Sequence, residues 1–442
     1  MKIKFWQKGS SRGVKLPHNK FTAKNAIETL PLPEKVIIPL HQNIGAPCVA
    51  CVKRGEKVLT GQKIGDSDKF VNAPVHASIS GTISTITTII NPPTGQPVTA
   101  LVISSDREDS WVELNTTKNP KALSAREILG KIREAGIVGL GGATFPTHVK
   151  LSPPEDKKID TIILNGCECE PYITADHRVM LEYGEKVLSG LNLISQILSP
   201  KNVYIGIEDN KADAITHLRE LIAAKGYANS FEVVTLKSQY PMGAEKTLIT
   251  NILHREVPIG GLPMDVGVVV QNVHTAVAIH NAVYEGRPFV ERLVTVTGAV
   301  NNPKNLLVRL GTPLRTLIDY CGGLKKEAGE IILGGPMMGI SQPDLDFPVT
   351  KGTSCILVTA GNPIREMDCI NCGRCVEVCP MHLMPTRLAK NAKVGRYENC
   401  QEAYIDDCFE CGSCAYSCPA NIPIVQYIKV AKKELAKRRV AK

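Results

Sequence analysis

The sequence lacks any long uninterrupted run of apolar residues, although 43% of its 442 residues are hydrophobic. A helix that crosses a bilayer needs about 20 consecutive apolar residues, so we expect no transmembrane segment. The first ten residues, MKIKFWQKGS, are charged and are not followed by an apolar region. We therefore expect no secretory signal and predict a cytoplasmic location.

Aromatic residues are also scarce, at 5% of the chain, and outside the C-terminal tail they are not interleaved with basic residues. This argues against a nucleic-acid-binding protein despite the formal net charge of +9. The tail supplies +6 of that charge, from Lys429, Lys432, Lys433, Lys437, Arg438, Arg439 and Lys442 against Glu434 alone. Such a tail is either a solvated helix or a surface for anionic lipid or an acidic partner, and the sequence leaves both open.

Cysteine, by contrast, is abundant, with 15 residues. In a chain without an export signal this favours metal ligation over disulfides. Eight cysteines form two similar runs, CINCGRCVEVCP and CFECGSCAYSCP. In two-cluster ferredoxins the fourth cysteine of such a run ligates the other cluster. We predict one [4Fe-4S] cluster on Cys369, Cys372, Cys375 and Cys418, and a second on Cys408, Cys411, Cys414 and Cys379.

A zinc protein is the alternative interpretation of paired C-x-x-C motifs. Zinc needs only four ligands, however, and has no use for a third cysteine at i+6 followed by Cys-Pro. The remaining cysteines carry less information. Cys48 and Cys51 form a lone C-x-x-C of open role, and we expect Cys321, Cys355 and Cys400 to fill core positions.

The chain length predicts about three or four domains. Residues 31–105 are rich in Val, Ile, Thr, Gly and Pro in short alternating runs, which predicts a small all-β unit. This stretch resembles the biotinyl/lipoyl-type barrel-sandwich domain. The modified lysine of that family lies in a Met-Lys-Met turn, whereas the nearest candidate here is Asp68-Lys69-Phe70. We therefore expect a structural module without a prosthetic arm.

A different pattern follows residue 120. Ser124 and Glu127 form a capping box ahead of helically spaced apolar residues. Strands are then predicted at 161–164, 203–207 and 231–236, alternating with helices at 176–198 and 212–224. This alternation is typical of an α/β domain with a largely parallel sheet. After Arg292 a hairpin leads to a helix, which resembles a β-grasp module, and a loop-rich stretch containing GGPMMG leads to a helical ferredoxin domain at about Met367.

A glycine-rich turn, GIVGLGGATFP, spans residues 136–146. It is preceded by a helix and has Thr144 where a dinucleotide-binding G-x-G-x-x-G motif would place its third glycine. Its glycines still allow backbone N–H groups to approach a phosphate or a flat ring. The string from Gly139 to Thr147, with Lys150 beyond it, resembles the R-G-R-G-G-A-G-F-P-T…K loop of the NADH-binding flavoprotein subunit of respiratory complex I.

Three further strings resemble the same family: NGCECEP at 165–171, YPMGAEKTL at 240–248 and QNVHT at 271–275. The resemblance implies an FMN site formed by Gly139, Gly141, Gly142, Asn165, Glu168, Asn272 and Thr275, with Tyr240 nearby. It implies that Phe145, Lys150, Glu170 and Glu245 face NADH. Two positions depart from the family, Leu140 in place of arginine and Cys167 in place of aspartate. His274 and His280 are expected to be structural.

The order of these modules resembles the C subunit of the Rnf complex along nearly the whole chain. We therefore predict a multidomain α/β protein: a barrel-sandwich β module (1–120), a parallel-sheet FMN/NADH-binding α/β domain (121–290), a β-grasp module with connector (291–366) and an α-helical ferredoxin domain with two [4Fe-4S] clusters and a basic tail (367–442). No catalytic acid or base is predicted, because hydride transfer to FMN requires none.

The family resemblance implies a peripheral subunit on the cytoplasmic face of the cell membrane. It would oxidise NADH through FMN and pass single electrons through its clusters to partner subunits, an iron–sulfur subunit and integral membrane subunits among them. Ferredoxin would be the indirect redox partner, and the complex would couple electron transfer to Na⁺ or H⁺ translocation. The alternatives are a soluble cobalamin reductase of a bacterial microcompartment and an electron conduit without flavin.

Overall fold

A computed structural model of the protein describes residues 12–91, 95–361 and 365–440, the side chain of residue 440 excepted. The first ten residues and Lys442, which carried two of the predictions above, lie outside this part. No helix in the described ranges is long and apolar enough to cross a bilayer.

The N-terminal module is the predicted all-β unit. The first eight strands are β1 (Ile27–Thr29), β2 (Lys35–Pro39), β3 (Val49–Ala50), β4 (Lys57–Val58), β5 (Lys63–Asp66), β6 (Val75–His76), β7 (Gly81–Asn91) and β8 (Gln96–Ser105). Seven of them form two small sheets, β2-β8-β7-β4 and β3-β5-β6. Val36, Ile38, Ile83 and Leu101 point inward and are fully buried. Alternating apolar residues thus build the core of this module.

The α/β domain contains α1 (Ala125–Glu134), α2 (Thr147–Lys150), β9 (Thr161–Asn165), α3 (Ala175–Glu182), α4 (Gly184–Leu198), β10 (Asn202–Glu208), α5 (Ala212–Ala224), β11 (Glu232–Leu236), α6 (Glu245–Leu253), β12 (Val268–Asn272) and α7 (Val273–Tyr284). The predicted capping box is present at the start of α1. The sheet has the order β11-β10-β9-β12 and is parallel throughout, as predicted.

The single helix predicted at 176–198 is wrong. The chain forms two helices that meet at Tyr183, which has non-helical torsion angles. At the start of the second helix, Gly184 packs so tightly on α5 that a Cβ atom would lie 2.6 Å from Leu221. Glycine is a poor helix former, so the helix is interrupted where close packing requires it.

The third module contains β13 (Glu291–Gly298), β14 (Lys304–Arg309), α8 (Leu314–Tyr320), β15 (Ala328–Leu333), β16 (Ile340–Gln342) and β17 (Cys355–Ala360). Its six-stranded sheet has the order β1-β14-β13-β17-β15-β16, so β1, the first strand among the described residues, completes it. The predicted hairpin and helix are confirmed as β13, β14 and α8. GGPMMG was expected in a loop that leads out of the module, and this expectation is wrong. The segment is the tip of the antiparallel β15–β16 hairpin.

The last module is helical, as predicted, with α9 (Arg374–Glu377), α10 (Pro385–Lys393), α11 (Tyr397–Glu402), α12 (Ser413–Tyr416) and α13 (Ile424–Val440). It has its own core, separate from the core shared by the first three modules. Several basic residues of the tail form ion pairs within the module. Arg438 pairs with Glu398, and Arg439 lies 2.6 Å from Asp406.

Three remaining cysteines and two histidines have the structural roles that the sequence predicts. Cys321, Cys355 and Cys400 are fully buried. His280 stacks on Tyr284, and buried His274 forms a hydrogen bond with Arg292.

Candidate cofactor sites

Two asparagines predicted to contact FMN end neighbouring parallel strands. Asn165 of β9 and Asn272 of β12 are directly opposite each other in the sheet register. Asn165 Nδ2 donates to Gly243 O at 2.8 Å, and Asn272 Oδ1 accepts from the N–H groups of His274 and Thr275 at the start of α7. The carboxyl edge of such a sheet is where α/β proteins bind ligands.

The glycine-rich loop lies over this edge. Gly139 N donates to Phe145 O at 2.8 Å and closes the loop, and Leu140 N donates to Thr275 Oγ1 at 3.0 Å. A Cβ atom at Gly141 would lie 3.3 Å from Asn272 Cβ, whereas one at exposed Gly142 (φ +150°) would meet nothing within 4 Å. The loop therefore leaves open backbone above the strand ends, a cradle that fits a flat ring with a phosphate.

The predicted nucleotide residues are only partly grouped. Lys150 at the end of α2 forms an ion pair with Glu245 at the start of α6. Phe145 is half-buried at the end of the glycine-rich loop. The structure therefore brings Lys150 and Glu245 together. Their contact with NADH stays a prediction.

The two glutamates that follow β9 have structural partners. Glu168 accepts hydrogen bonds from Asp176 N at 2.6 Å and His177 N at 3.3 Å, so it caps the first turn of α3. Glu170 accepts from the N–H groups of Met337 and Met338 at the β15–β16 tip. Burial raises the pKa of Glu170 to about 7. Their predicted contacts with FMN and NADH remain predictions.

A buried arginine that the sequence analysis did not identify supports the glycine-rich loop from below. Arg292, at the start of β13, donates to Leu140 O at 3.0 Å and Thr353 O at 3.0 Å, and its Nη1 lies 2.6 Å from His274 Nδ1. Burial lowers its pKa to about 10, against the opposing effect of nearby Asp176. The resemblance placed a family arginine at position 140, and here a cation reaches that peptide from another module.

Asp176 is a second residue that the sequence analysis missed. Its carboxylate accepts from Asn272 Nδ2 at 2.6 Å. Burial, reinforced by the charge of Glu168, raises its pKa. Its position at the start of a predicted helix, close after NGCECEP, was the only sequence signal.

Lys20 of the N-terminal segment holds the loop that follows β9. Its Nζ donates to Glu168 O at 2.8 Å, Glu170 O at 2.8 Å and Ile173 O at 2.5 Å. Burial lowers the pKa of Lys20. An ammonium group has three donors, so one lysine satisfies all three carbonyls.

One set of four cluster cysteines is grouped in the crossed pattern. Cys379, Cys408, Cys411 and Cys414 line one cavity, although Cys379 belongs to the other run. Burial is the main cause that raises the pKa of Cys408, Cys411 and Cys414. Neighbouring thiols, Cys379 among them, raise it further. Within the described ranges no three His, Cys, Asp or Glu side chains converge as tightly as a single metal ion requires. A cavity with four thiols around its walls fits a cube.

The other set is closer to solvent. Cys418 and Cys369 are near enough to Cys375 to raise its pKa, after the larger effect of burial. Cys372 is exposed, whereas Cys379, Cys411 and Cys414 are buried. The two candidate cluster sites thus differ in burial, and the more buried one faces the α/β domain.

Tyr240 connects the two candidate sites. This side chain is 3% exposed, and its hydroxyl donates to Cys411 O at 2.6 Å. Three residues further on, Gly243 accepts the hydrogen bond from Asn165. A four-residue turn therefore reaches from the strand ends to a cysteine-bearing loop.

Comparison with protein families finds four matches along the chain. Residues 8–108 match the RnfC barrel sandwich hybrid domain, 132–281 the Nuo51 FMN-binding domain, 293–341 the SLBB domain and 368–422 a 4Fe-4S dicluster domain. These matches confirm the predicted fold class and the predicted cofactors, FMN and two [4Fe-4S] clusters.

Whole-chain relatives decide the family. The C subunit of the proton-translocating ferredoxin:NAD(+) oxidoreductase complex of Clostridium ljungdahlii is 51% identical over 94% of this chain and 91% of its own length. The chain belongs to the family of Rnf-complex C subunits. A second member, the C subunit of the Na(+)-translocating ferredoxin:NAD(+) oxidoreductase complex of Acetobacterium woodii, is 45% identical over 92% of each chain.

Among solved structures, a NAD+-reducing [NiFe]-hydrogenase in the H2-reduced state is similar to this Rnf-family chain. The TM-score is 0.50 with 19% identity, over 72% of this chain and 62% of the hydrogenase chain. At this identity the similarity concerns the fold alone.

Proposed function

We propose that this chain is the electron-input subunit of a membrane-bound, ion-translocating NADH:ferredoxin oxidoreductase. Its relatives are named as subunits of ferredoxin:NAD(+) oxidoreductase complexes. The observation that carries the proposal is the hydrogen bond from Tyr240 to Cys411 O, because it joins the turn beside the flavin-type strand ends to an iron–sulfur loop. A chain built in this way is suited to pass electrons between the two kinds of cofactor.

FMN, when bound, supplies the conversion of a two-electron hydride into single electrons. The chain's own residues would bind and orient FMN and NADH. Asn165, Asn272 and the open backbone at Gly142 would hold FMN at the carboxyl edge of the sheet. Lys150 would compensate phosphate charge on NADH, and Phe145 offers a ring face for the nicotinamide.

The partners and the location belong to the same proposal. The chain would lie peripherally on the cytoplasmic face of the membrane and deliver electrons to an iron–sulfur subunit and to integral membrane subunits, with ferredoxin as the indirect partner. The translocated ion would move through those other subunits. No observation favours the microcompartment cobalamin reductase or a conduit without flavin.

Anaerobic titration with NADH tests the proposal. Flavin absorbance should bleach first, and cluster signals should then develop in the electron paramagnetic resonance (EPR) spectrum. Glu245→Gln neutralises a carboxylate that is predicted to face NADH and should weaken reduction by NADH, while dithionite still reduces both clusters. Glu185→Gln is a matched control, because that glutamate pairs with Lys225 on the surface and is 66% exposed. Reconstituted protein whose flavin stays oxidised in excess NADH would refute the proposal.

A further inference from the structure

The tip of the β15–β16 hairpin, residues 334–339, is fixed on one side by the α/β domain. Met337 N and Met338 N donate to the two carboxylate oxygens of Glu170 at 3.1 and 2.9 Å. Gly335 packs against the same carboxylate so closely that a Cβ atom would lie 2.2 Å from Glu170 Oε2. Glu170, in the loop that follows β9, therefore determines where this tip lies.

The other side of the tip packs on the glycine of one cluster loop and not on the equivalent glycine of the other. A Cβ atom at Gly412 would lie 2.7 Å from Met337 O and 3.5 Å from Met337 Cε. Gly373 is at the equivalent position of the first cysteine run and has nearly the same torsion angle, φ +78° against +83°. A Cβ atom there would meet nothing within 4 Å. The two cysteine runs are alike in sequence, but only the glycine of the second run packs against the hairpin tip.

The contact is apolar and closely packed. Val14, Tyr240 and Cys411 form a small buried cluster, and Met337 and Phe409 pack against it. Close packing fixes distances, because side chains in such a cluster have few alternative positions. The rate of electron transfer depends steeply on the distance between cofactors, so a packed junction is a suitable place to control it.

We propose that the cluster of Cys379, Cys408, Cys411 and Cys414 is the first acceptor of electrons from the flavin, and that Met337 is a positioning residue for this transfer. The inference rests on the proposed function. With FMN and both clusters bound, one NADH would supply a hydride, and its two electrons would leave in single steps, one to each cluster. The proton of the hydride would be released to solvent. The solvent-exposed cluster that includes Cys372 is then the site from which electrons leave the chain.

Two matched pairs of variants test the proposal in the full-length, cofactor-loaded protein. Met337→Ala removes the side chain at the junction, and Met338→Ala shortens its 46% exposed neighbour in the same turn. Gly412→Ala pushes the tip away, and Gly373→Ala imposes the same backbone strain without a contact. The measurements are stopped-flow rates of flavin bleaching and of cluster reduction by NADH, EPR spectra after dithionite reduction, and hydrogen exchange of the 408–414 segment.

We expect Met337→Ala and Gly412→Ala to slow cluster reduction several-fold while flavin bleaching keeps its rate, and to speed hydrogen exchange at 408–414. Met338→Ala should match the wild type in both measurements, and Gly373→Ala should keep the wild-type hydrogen exchange at 408–414. Equal effects within each pair, or none, would overturn the proposal, as would slower flavin bleaching in Met337→Ala.

The dithionite and hydrogen-exchange measurements do not require NADH. They therefore test the junction even if wild-type flavin fails to bleach, which would contradict only the proposed function. In these measurements Met337→Ala should change the EPR signal of the buried cluster and leave that of the exposed cluster unaltered. A changed signal from the exposed cluster alone would contradict the assignment.

Discussion

Replacing Arg292 with methionine removes the buried cation beneath the glycine-rich loop, and we expect it to weaken both the α/β domain and its affinity for FMN. Arg292 is 1% exposed, and its guanidinium forms hydrogen bonds with Leu140 O, Thr353 O and His274 Nδ1. Methionine preserves much of the volume but supplies no donor. The variant leaves two carbonyls and one imidazole nitrogen buried without partners, and nearby Asp176 without its compensating charge.

The magnitude follows from those losses. An unpaired buried polar group costs about 1–3 kcal/mol, and removal of one partner from a buried charge pair costs about 3–5 kcal/mol. We expect the free energy of unfolding to fall by about 3–5 kcal/mol. The loop loses its anchor at Leu140, so FMN affinity should fall about tenfold or more, since a tenfold change corresponds to about 1.4 kcal/mol.

Urea unfolding followed by circular dichroism, and FMN binding followed by flavin fluorescence, measure the two effects. Arg315→Met is the matched control in the same module. That arginine is 53% exposed, lies 3.2 Å from Asp346 and should contribute less than about 1 kcal/mol. Arg292→Lys keeps the charge but cannot reach all three acceptors, and should be intermediate. If Arg292→Met unfolds and binds FMN like Arg315→Met, the buried guanidinium does not support the loop.

Three further outcomes are expected. Cys379→Ala should lower iron and acid-labile sulfide by about half and abolish the cluster of the second cysteine run, as measured by EPR; loss of the first run's cluster instead would refute the crossed ligation. Gly141→Ala should weaken FMN binding, measured by flavin fluorescence, because its Cβ would lie 3.3 Å from Asn272; unchanged affinity would contradict this packing. Burial, with a smaller effect of nearby cations, lowers the pKa of His76 to about 3. Its contribution to stability should therefore be complete above pH 6.5 and decline by about 1.4 kcal/mol per unit as the pH falls below that. His76→Leu should give a shallower acid dependence in urea unfolding, and an unchanged slope would show that His76 does not titrate in this way.

Much of this architecture could be predicted from local patterns. Cysteine spacing separates two cubes from zinc, and alternating strands and helices predict a parallel sheet whose carboxyl edge places Asn165 beside Asn272. What could not be predicted comes from distant parts of the chain. Lys20 and Arg292 are separated by most of the sequence, and basic residues are normally expected on the surface. The position of the hairpin tip also depends on tertiary contacts, because GGPMMG has the composition of an ordinary loop.

Three cations from the flanking modules share one arrangement, which explains how the outer modules contribute to the flavin-type site. Lys351 of the third module donates to Pro74 O and Gly136 O at 2.6 Å each, and so holds the start of the glycine-rich turn. Lys20 holds the loop after β9, and Arg292 holds Leu140. In each case a cation from a flanking module binds at least one main-chain carbonyl of a loop in the α/β domain. With these carbonyls held, the exposed backbone at Gly142 of the glycine-rich loop stays open toward a ligand. Burial of three cations carries a desolvation penalty, and the structure offsets it by giving each cation several acceptors. The binding loops are thus fixed by groups outside the site they form, and their geometry depends on all three modules being assembled.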